Sequence, residues 1–151
     1  METAPASINE ISFEPKSPVH PSPIDWRDIV FYQLMTDRFD DGGEHPAYDP
    51  ATAQRGRQLE NGGKYQGGTI KGITRRLDYI RNLGCSAVWI TPPFKQRKDD
   101  EGSYHGYAFQ DLLAIDPRIG TLEDLQELVR EAHQRGMYVI LDIVVNHAGD
   151  V

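Results

Sequence analysis

The chain has little cysteine, no excess of positive charge and no long apolar run, and each shortage excludes a class of function. One cysteine, Cys85, excludes an intramolecular disulfide. It lies in Gly84-Cys85-Ser86-Ala87-Val88, where an apolar run begins, and reads as a small packed residue rather than a nucleophile. The balance of 16 Lys and Arg against 23 Asp and Glu gives a net charge of −7, the wrong sign for a nucleic-acid groove. No stretch approaches the roughly 18 apolar residues of a membrane span, so no membrane partner is expected. The N-terminus shows neither the basic nor the apolar region of a signal peptide, which leaves location open with the cytoplasm as default. There is no G-x-x-x-x-G-K-[ST] phosphate loop and no complete EF-hand loop.

What is present is one domain's worth of chain, 151 residues, enough to bury a core. Residues 1–24 carry Pro5, Pro15, Pro18, Pro21 and Pro23 and few large apolar residues, so a disordered lead-in is expected. Residues 25–151 carry the periodic segments. Ile29–Met35 is β-branched and aromatic and predicts a first buried strand. A long Gly-, Asp- and Asn-rich loop, Asp40 to Lys64, follows. Ile70, Ile73, Leu77 and Ile80 recur at helical spacing after Thr69, with Leu83 next and Gly84 placed to cap. Ala87–Ile90 predicts a second strand, buried on both faces and stopped by Pro92-Pro93. A polar loop, Lys95 to Asp111, precedes a helix opened by Thr121-Leu122-Glu123-Asp124 and closed by Gly136. Its apolar stripe is Leu122, Leu125, Leu128, Val129 and Ala132, and Met137–Val145 predicts a third strand.

Strands that alternate with helices imply right-handed parallel βαβ units. Each long loop then leaves the C-terminal end of a strand, where ligands bind in parallel α/β folds. Three strands fit either a small open sheet or an incomplete barrel.

Four clusters fall at those ends. Asp37-Arg38-Phe39-Asp40-Asp41-Gly42-Gly43 reads as a partial oxygen cage for a hard cation or as an acidic turn. Gly62-Gly63-Lys64-Tyr65-Gln66-Gly67-Gly68-Thr69 runs into a helix start, and its glycines let the chain turn tightly near another group. Tyr104-His105-Gly106-Tyr107 reads either as a stacking platform for a sugar ring or as a turn packed on its own aromatics. In Asp142-Ile143-Val144-Val145-Asn146-His147, strand alternation puts Asp142, Val144 and Asn146 on one face. A carboxylate there is costly unless paired, and Asp142 reads either as part of an active-site rim with Asn146 and His147 or as a structural Asp bonded to a nearby Arg.

In this order the clusters resemble the α-amylase family of retaining glycoside hydrolases. The matching pieces are Val30-Phe31-Tyr32-Gln33 with Asp37-Arg38-Phe39, then Gln66-Gly67-Gly68-Thr69, then Ala87-Val88-Trp89-Ile90-Thr91-Pro92. Tyr104-His105-Gly106-Tyr107, Asp116-Pro117 and Asp142–His147 complete them, collinear from about Asp28 to Val151. The resemblance implies an incomplete (β/α)8 barrel: its first three strands and two helices with long βα loops. It implies that His147 hydrogen-bonds the glucosyl unit beside the scissile bond, that Tyr107 stacks on that ring, and that His105 and Gln66 line the same subsite of an α-linked glucan. It implies calcium, with Asn146 as a ligand shared with an inserted domain and Asp41 as a ligand of a further site in some members. Around Asp41 the run Gly43-Glu44-His45-Pro46 departs from the Asn-rich pattern of those members. The family's catalytic carboxylates sit on later strands, so no catalytic residue is expected here and the chain by itself should be inactive. Two other readings stand beside this one: a non-catalytic carbohydrate-binding protein that keeps the fold's beginning, and a small open-sheet domain unrelated to amylases.

Overall fold

The computed structural model describes residues 6–10, 12, 14, 15, 18–43, 63–97 and 101–149. Part of the expected Asp40–Lys64 loop, residues 44–62, lies outside them. Three parallel strands form one sheet in the order β1 (Phe31–Leu34), β2 (Ala87–Ile90), β5 (Tyr138–Leu141). Phe31 pairs with Ala87, and Ala87 in turn with Tyr138, so all three strands start and stop in step. The β1-to-β2 crossover carries a single turn, α1 (Thr36–Phe39), then α2 (Ile70–Arg75) and α3 (Leu77–Asn82). The β2-to-β5 crossover carries a hairpin, β3 (Phe94–Gln96) with β4 (Phe109–Ile115), then α4 (Leu122–Gln134).

The core lies between the sheet and these helices. Ile70, Ile73, Leu77 and Ile80 are fully buried against Val88, Ile90, Leu128 and Ala132. Fully burying each such side chain contributes about 1.5–3 kcal/mol. The α4 start is fixed as its sequence implied. Thr121 accepts from the Asp124 amide, and the Asp124 carboxylate accepts from the Thr121 amide.

Several expectations need correction. The first strand is shorter than Ile29–Met35, because the Ile29 amide closes the 3-10 turn Trp26–Asp28 on the Trp26 carbonyl. The helix expected after Thr69 is two helices, broken at Arg76. Thr74 bonds back to the Ile70 carbonyl, which bends helices, and Asp40 holds both Arg75 and Arg76. Leu83 and Leu122, expected in the apolar stripes, are 55% and 54% exposed. The second strand is buried except at Trp89. The polar loop from Lys95 holds a bulged antiparallel hairpin instead.

The third strand stops at Leu141 instead of reaching Val145. The Asp142 amide makes the last bond to β2, at the Ile90 carbonyl, and beyond it stand Thr91, Pro92 and Pro93. Proline supplies no amide for a ladder, so residues 142–149 leave the sheet. The strand-face expectation for Asp142, Val144 and Asn146 therefore lapses. The chain crosses to the hairpin, where the Gly149 amide donates to the Phe109 carbonyl.

The lead-in packs more closely than expected. His20 stacks on His133 of α4, centroids 4.0 Å apart, and meets the Tyr138 ring edge-on.

Candidate functional site

The departure of residues 142–149 from the sheet builds the site. It carries His147 to the loop between β3 and β4, and the His147 Nε2 donates to the Tyr107 carbonyl at 3.0 Å. A carbonyl only accepts, so Nε2 carries the proton and Nδ1 is left to accept from the Asn146 amide at 3.4 Å. The Tyr107 amide donates to His105 Nδ1 at 2.9 Å, and the two rings lie 5.7 Å apart and 25° from parallel. Tyr104 meets His105 edge-on, and the Arg38 guanidinium lies 3.9 Å over the Tyr104 ring.

Of the two readings of Asp142, the one with an arginine partner is not met. Its Oδ2 accepts from the Tyr107 hydroxyl at 2.8 Å and from Trp89 Nε1 at 3.3 Å. Asp142 sits just past the end of β5, where it meets Tyr107 instead of facing into the sheet. Burial first, then the bond to Asp142 and its charge, push the Tyr107 hydroxyl above its ordinary pKa, so the phenol stays a donor.

The turn between His105 and Tyr107 depends on Gly106. Its φ is +87°, and a Cβ there would fall 2.1 Å from the Pro92 carbonyl oxygen. Two side chains outside the expected set hold this turn. Gln96 is 2% exposed; its amide donates to the Phe94 and Gly106 carbonyls and its oxygen accepts from the Ala108 amide. Asp116, 1% exposed, accepts from the Gln96 amide and from the Arg118 amide and guanidinium. Burial alone would raise its pKa, but these bonds and the Arg118 charge hold it below the usual carboxylate range. Asp116-Pro117 was visible in the family-like pattern without a role. Gln96 had no signal at all, being one polar residue in a polar loop.

Three of the four expected sugar-facing residues, His105, Tyr107 and His147, therefore meet at the C-terminal ends of the strands. Gln66 is held within its own loop. Its backbone amide, with that of Gly67, is held by the buried Asp37 carboxylate, and its side-chain amide donates to the Lys64 and Tyr65 carbonyls of its own loop. Asp37 also pairs with Arg38 at 3.0 Å, and Arg38 lies over Tyr104, which joins the Gln66 loop to the aromatic turn.

The two expected calcium ligands are single donors. Asp41 Oδ1 accepts from the Gly43 amide, and Asn146 leans on His147. Calcium takes six to eight oxygens. Among the described residues no three His, Cys, Asp or Glu side chains gather where a metal ion would fit. These residues do not by themselves build a calcium cage.

The rim can present an aromatic face, imidazole and phenol hydrogen bonds, and one carboxylate whose Oδ2 already takes two donors. That suits a neutral, hydroxyl-rich ring. Among the described residues this rim presents one carboxylate, Asp142, where retaining glycoside cleavage requires two carboxyls about 5–5.5 Å apart.

Comparison with known proteins gives the following matches. The beta/alpha-amylase of Paenibacillus polymyxa is 43% identical over 129 residues, covering 83% of this chain but 10% of that protein. The periplasmic alpha-amylase of Escherichia coli is 36% identical over 138 residues, covering 85% of this chain and 20% of its own length. The crystal structure of the Geobacillus thermoleovorans alpha-amylase complexed with acarbose superposes with a TM-score of 0.66 at 44% identity, over 82% of this chain and 24% of that one. The chain thus spans a quarter or less of these relatives. The family profile described as alpha amylase, catalytic domain, matches residues 33–151, and the chain belongs to the α-amylase family.

Proposed function

We propose that this chain forms the opening arc of an α-amylase-type (β/α)8 barrel and supplies one wall of its sugar site. β1, β2 and β5 would be the first three barrel strands. Tyr107 would stack on a glucosyl ring of an α-linked glucan, His105 would hydrogen-bond its hydroxyls, His147 would do so by exchanging its 3.4 Å bond from the Asn146 amide for one from sugar, and Gln66 would line the same subsite. The observation that carries this is the bond from His147 Nε2 to the Tyr107 carbonyl at the C-terminal ends of parallel strands. An α-amylase relative was solved with acarbose, which supports the ligand class. Asn146 and Asp41 would each give one oxygen to calcium sites completed by residues outside the described set.

The parent reaction would be attack by a carboxylate with acid/base assistance, followed by hydrolysis or glycosyl transfer. Asp142 is occupied by Tyr107 and Trp89 and would position Tyr107 rather than attack sugar. The 151-residue chain would bind and not cleave. The family match favours an enzyme lineage over a protein that only binds carbohydrate.

The test is a titration of the isotope-labelled chain with maltotriose, beside a starch-hydrolysis assay. Resonances of Tyr107, His105 and His147 should shift together, and Tyr107→Ala should weaken binding about tenfold, or ~1.4 kcal/mol. No reducing sugar should appear. Hydrolysis abolished by Asp142→Asn would overturn the assignment and make Asp142 catalytic.

A further inference from the structure

Thr36 opens α1 directly after β1 and is 2% exposed. Its Oγ1 is the one buried side-chain polar atom among the described residues without a hydrogen-bond partner. A threonine hydroxyl can donate one bond and accept two, and leaving all of them unmade in a packed interior incurs the full desolvation cost of the group.

The space beside it is polar. Thr36 lines a small cavity of about 10 Å³ together with Thr91, Gln96, Tyr104, Gly106 and Asp116. That is about the space needed for one water, and a buried water is stable where two to four polar groups surround it. Thr36, Thr91, Tyr65 and Asp116, residues with polar side chains, all line the cavity. A cation does not fit: no cluster of three ligating side chains occurs among the described residues, and Asp116 is already matched by Arg118. An organic ligand is too large.

We propose that this cavity is a binding site for a single ordered water, anchored on Thr36 Oγ1 and bridging toward Thr91. The water ties the end of β1 to the end of β2 beneath the turn that presents His105 and Tyr107. Gly106 shares the cavity wall, so the water supports the backbone of that turn from below. The proposal does not depend on the sugar-binding reading, since it concerns an interior site.

The test compares wild type with Thr36→Val and Thr36→Ser. Oxygen-17 relaxation dispersion counts waters held for longer than solvent exchange allows. Wild type and Thr36→Ser should show one more such water than Thr36→Val, and the Tm of Thr36→Val should fall. An equal water count in wild type and Thr36→Val would overturn the proposal. So would a Tm for Thr36→Val above wild type, the result expected when a partnerless hydroxyl is removed and nothing else is lost. Should Thr36→Val fail to fold, a high-resolution crystal structure of the wild type decides. A water within about 3.2 Å of Thr36 Oγ1 supports the site, and an empty position there refutes it.

Discussion

Gly106 and Gly84 make a matched pair for measuring what the site turn requires. Both adopt left-handed φ, +87° and +89°. Alanine at either position costs about 1–2 kcal/mol for that conformation alone. Their surroundings differ. A Cβ at Gly84 meets nothing within 4 Å, whereas one at Gly106 meets the Pro92 carbonyl oxygen at 2.1 Å and its carbon at 3.0 Å. Pro92 is buried and followed by another proline, so that carbonyl cannot swing away cheaply. Overpacking of this kind adds about 1–3 kcal/mol. Gly84→Ala should therefore lose about 1–2 kcal/mol and Gly106→Ala about 2–5 kcal/mol. Urea unfolding followed by tryptophan fluorescence gives both, as midpoint shifts at unchanged slope. The two variants should also separate in function, with Gly106→Ala weakening maltotriose binding and Gly84→Ala leaving it intact. Equal stability losses within about 0.5 kcal/mol would show that Pro92 does not press on Gly106, and the account of the turn would fail.

Three further outcomes follow from the same geometry. Asp116→Asn removes the charge that Arg118 and the Gln96 amide share, and should cost about 3 kcal/mol in chemical denaturation; wild type should itself lose this contribution only in strong acid, as pH falls through the depressed Asp116 pKa, and a variant as stable as wild type at pH 7 would refute the network. Thr121→Ala deletes one half of the capping box and should cost about 1 kcal/mol, a Tm fall of about 3 °C by calorimetry, and an unchanged Tm would count against it. Burial, then the neighbouring charge of His20, lowers the His133 pKa, so the stability it contributes is complete above the unfolded value near 6.5 and is lost as pH falls through the lower folded value. Proton NMR should find His133 titrating below the unfolded value, with its stacking on the His20 ring lost on acidification, and a His133 midpoint at or above the unfolded value would contradict this.

The sequence by itself determined the features set by neighbours in the chain. The apolar run Ala87–Ile90 is a strand wherever it packs, and it is β2. Thr121 and Asp124 cap α4 because the two groups of a capping box lie within one turn. The alternation of strands and helices implied parallel pairing, and both ladders of the three-stranded sheet are parallel, while the β3–β4 hairpin is antiparallel. The apolar spacing Ile70, Ile73, Leu77, Ile80 picked out four fully buried residues. Tertiary structure decided what depends on distant partners. The third strand looks continuous to Val145, yet it stops where its neighbour β2 runs into Pro92, far earlier in the chain. That early stop is what brings Asp142 to the Tyr107 hydroxyl across 35 residues, and His147 to the Tyr107 carbonyl across 40. The break at Arg76 answers to Asp40 across the fold. Gln96 became a structural clamp only because the hairpin closed around it. Local propensity and periodicity carry information over a turn or two of chain, while hydrogen-bond satisfaction of buried groups is settled by whatever the folded chain brings within about 3 Å.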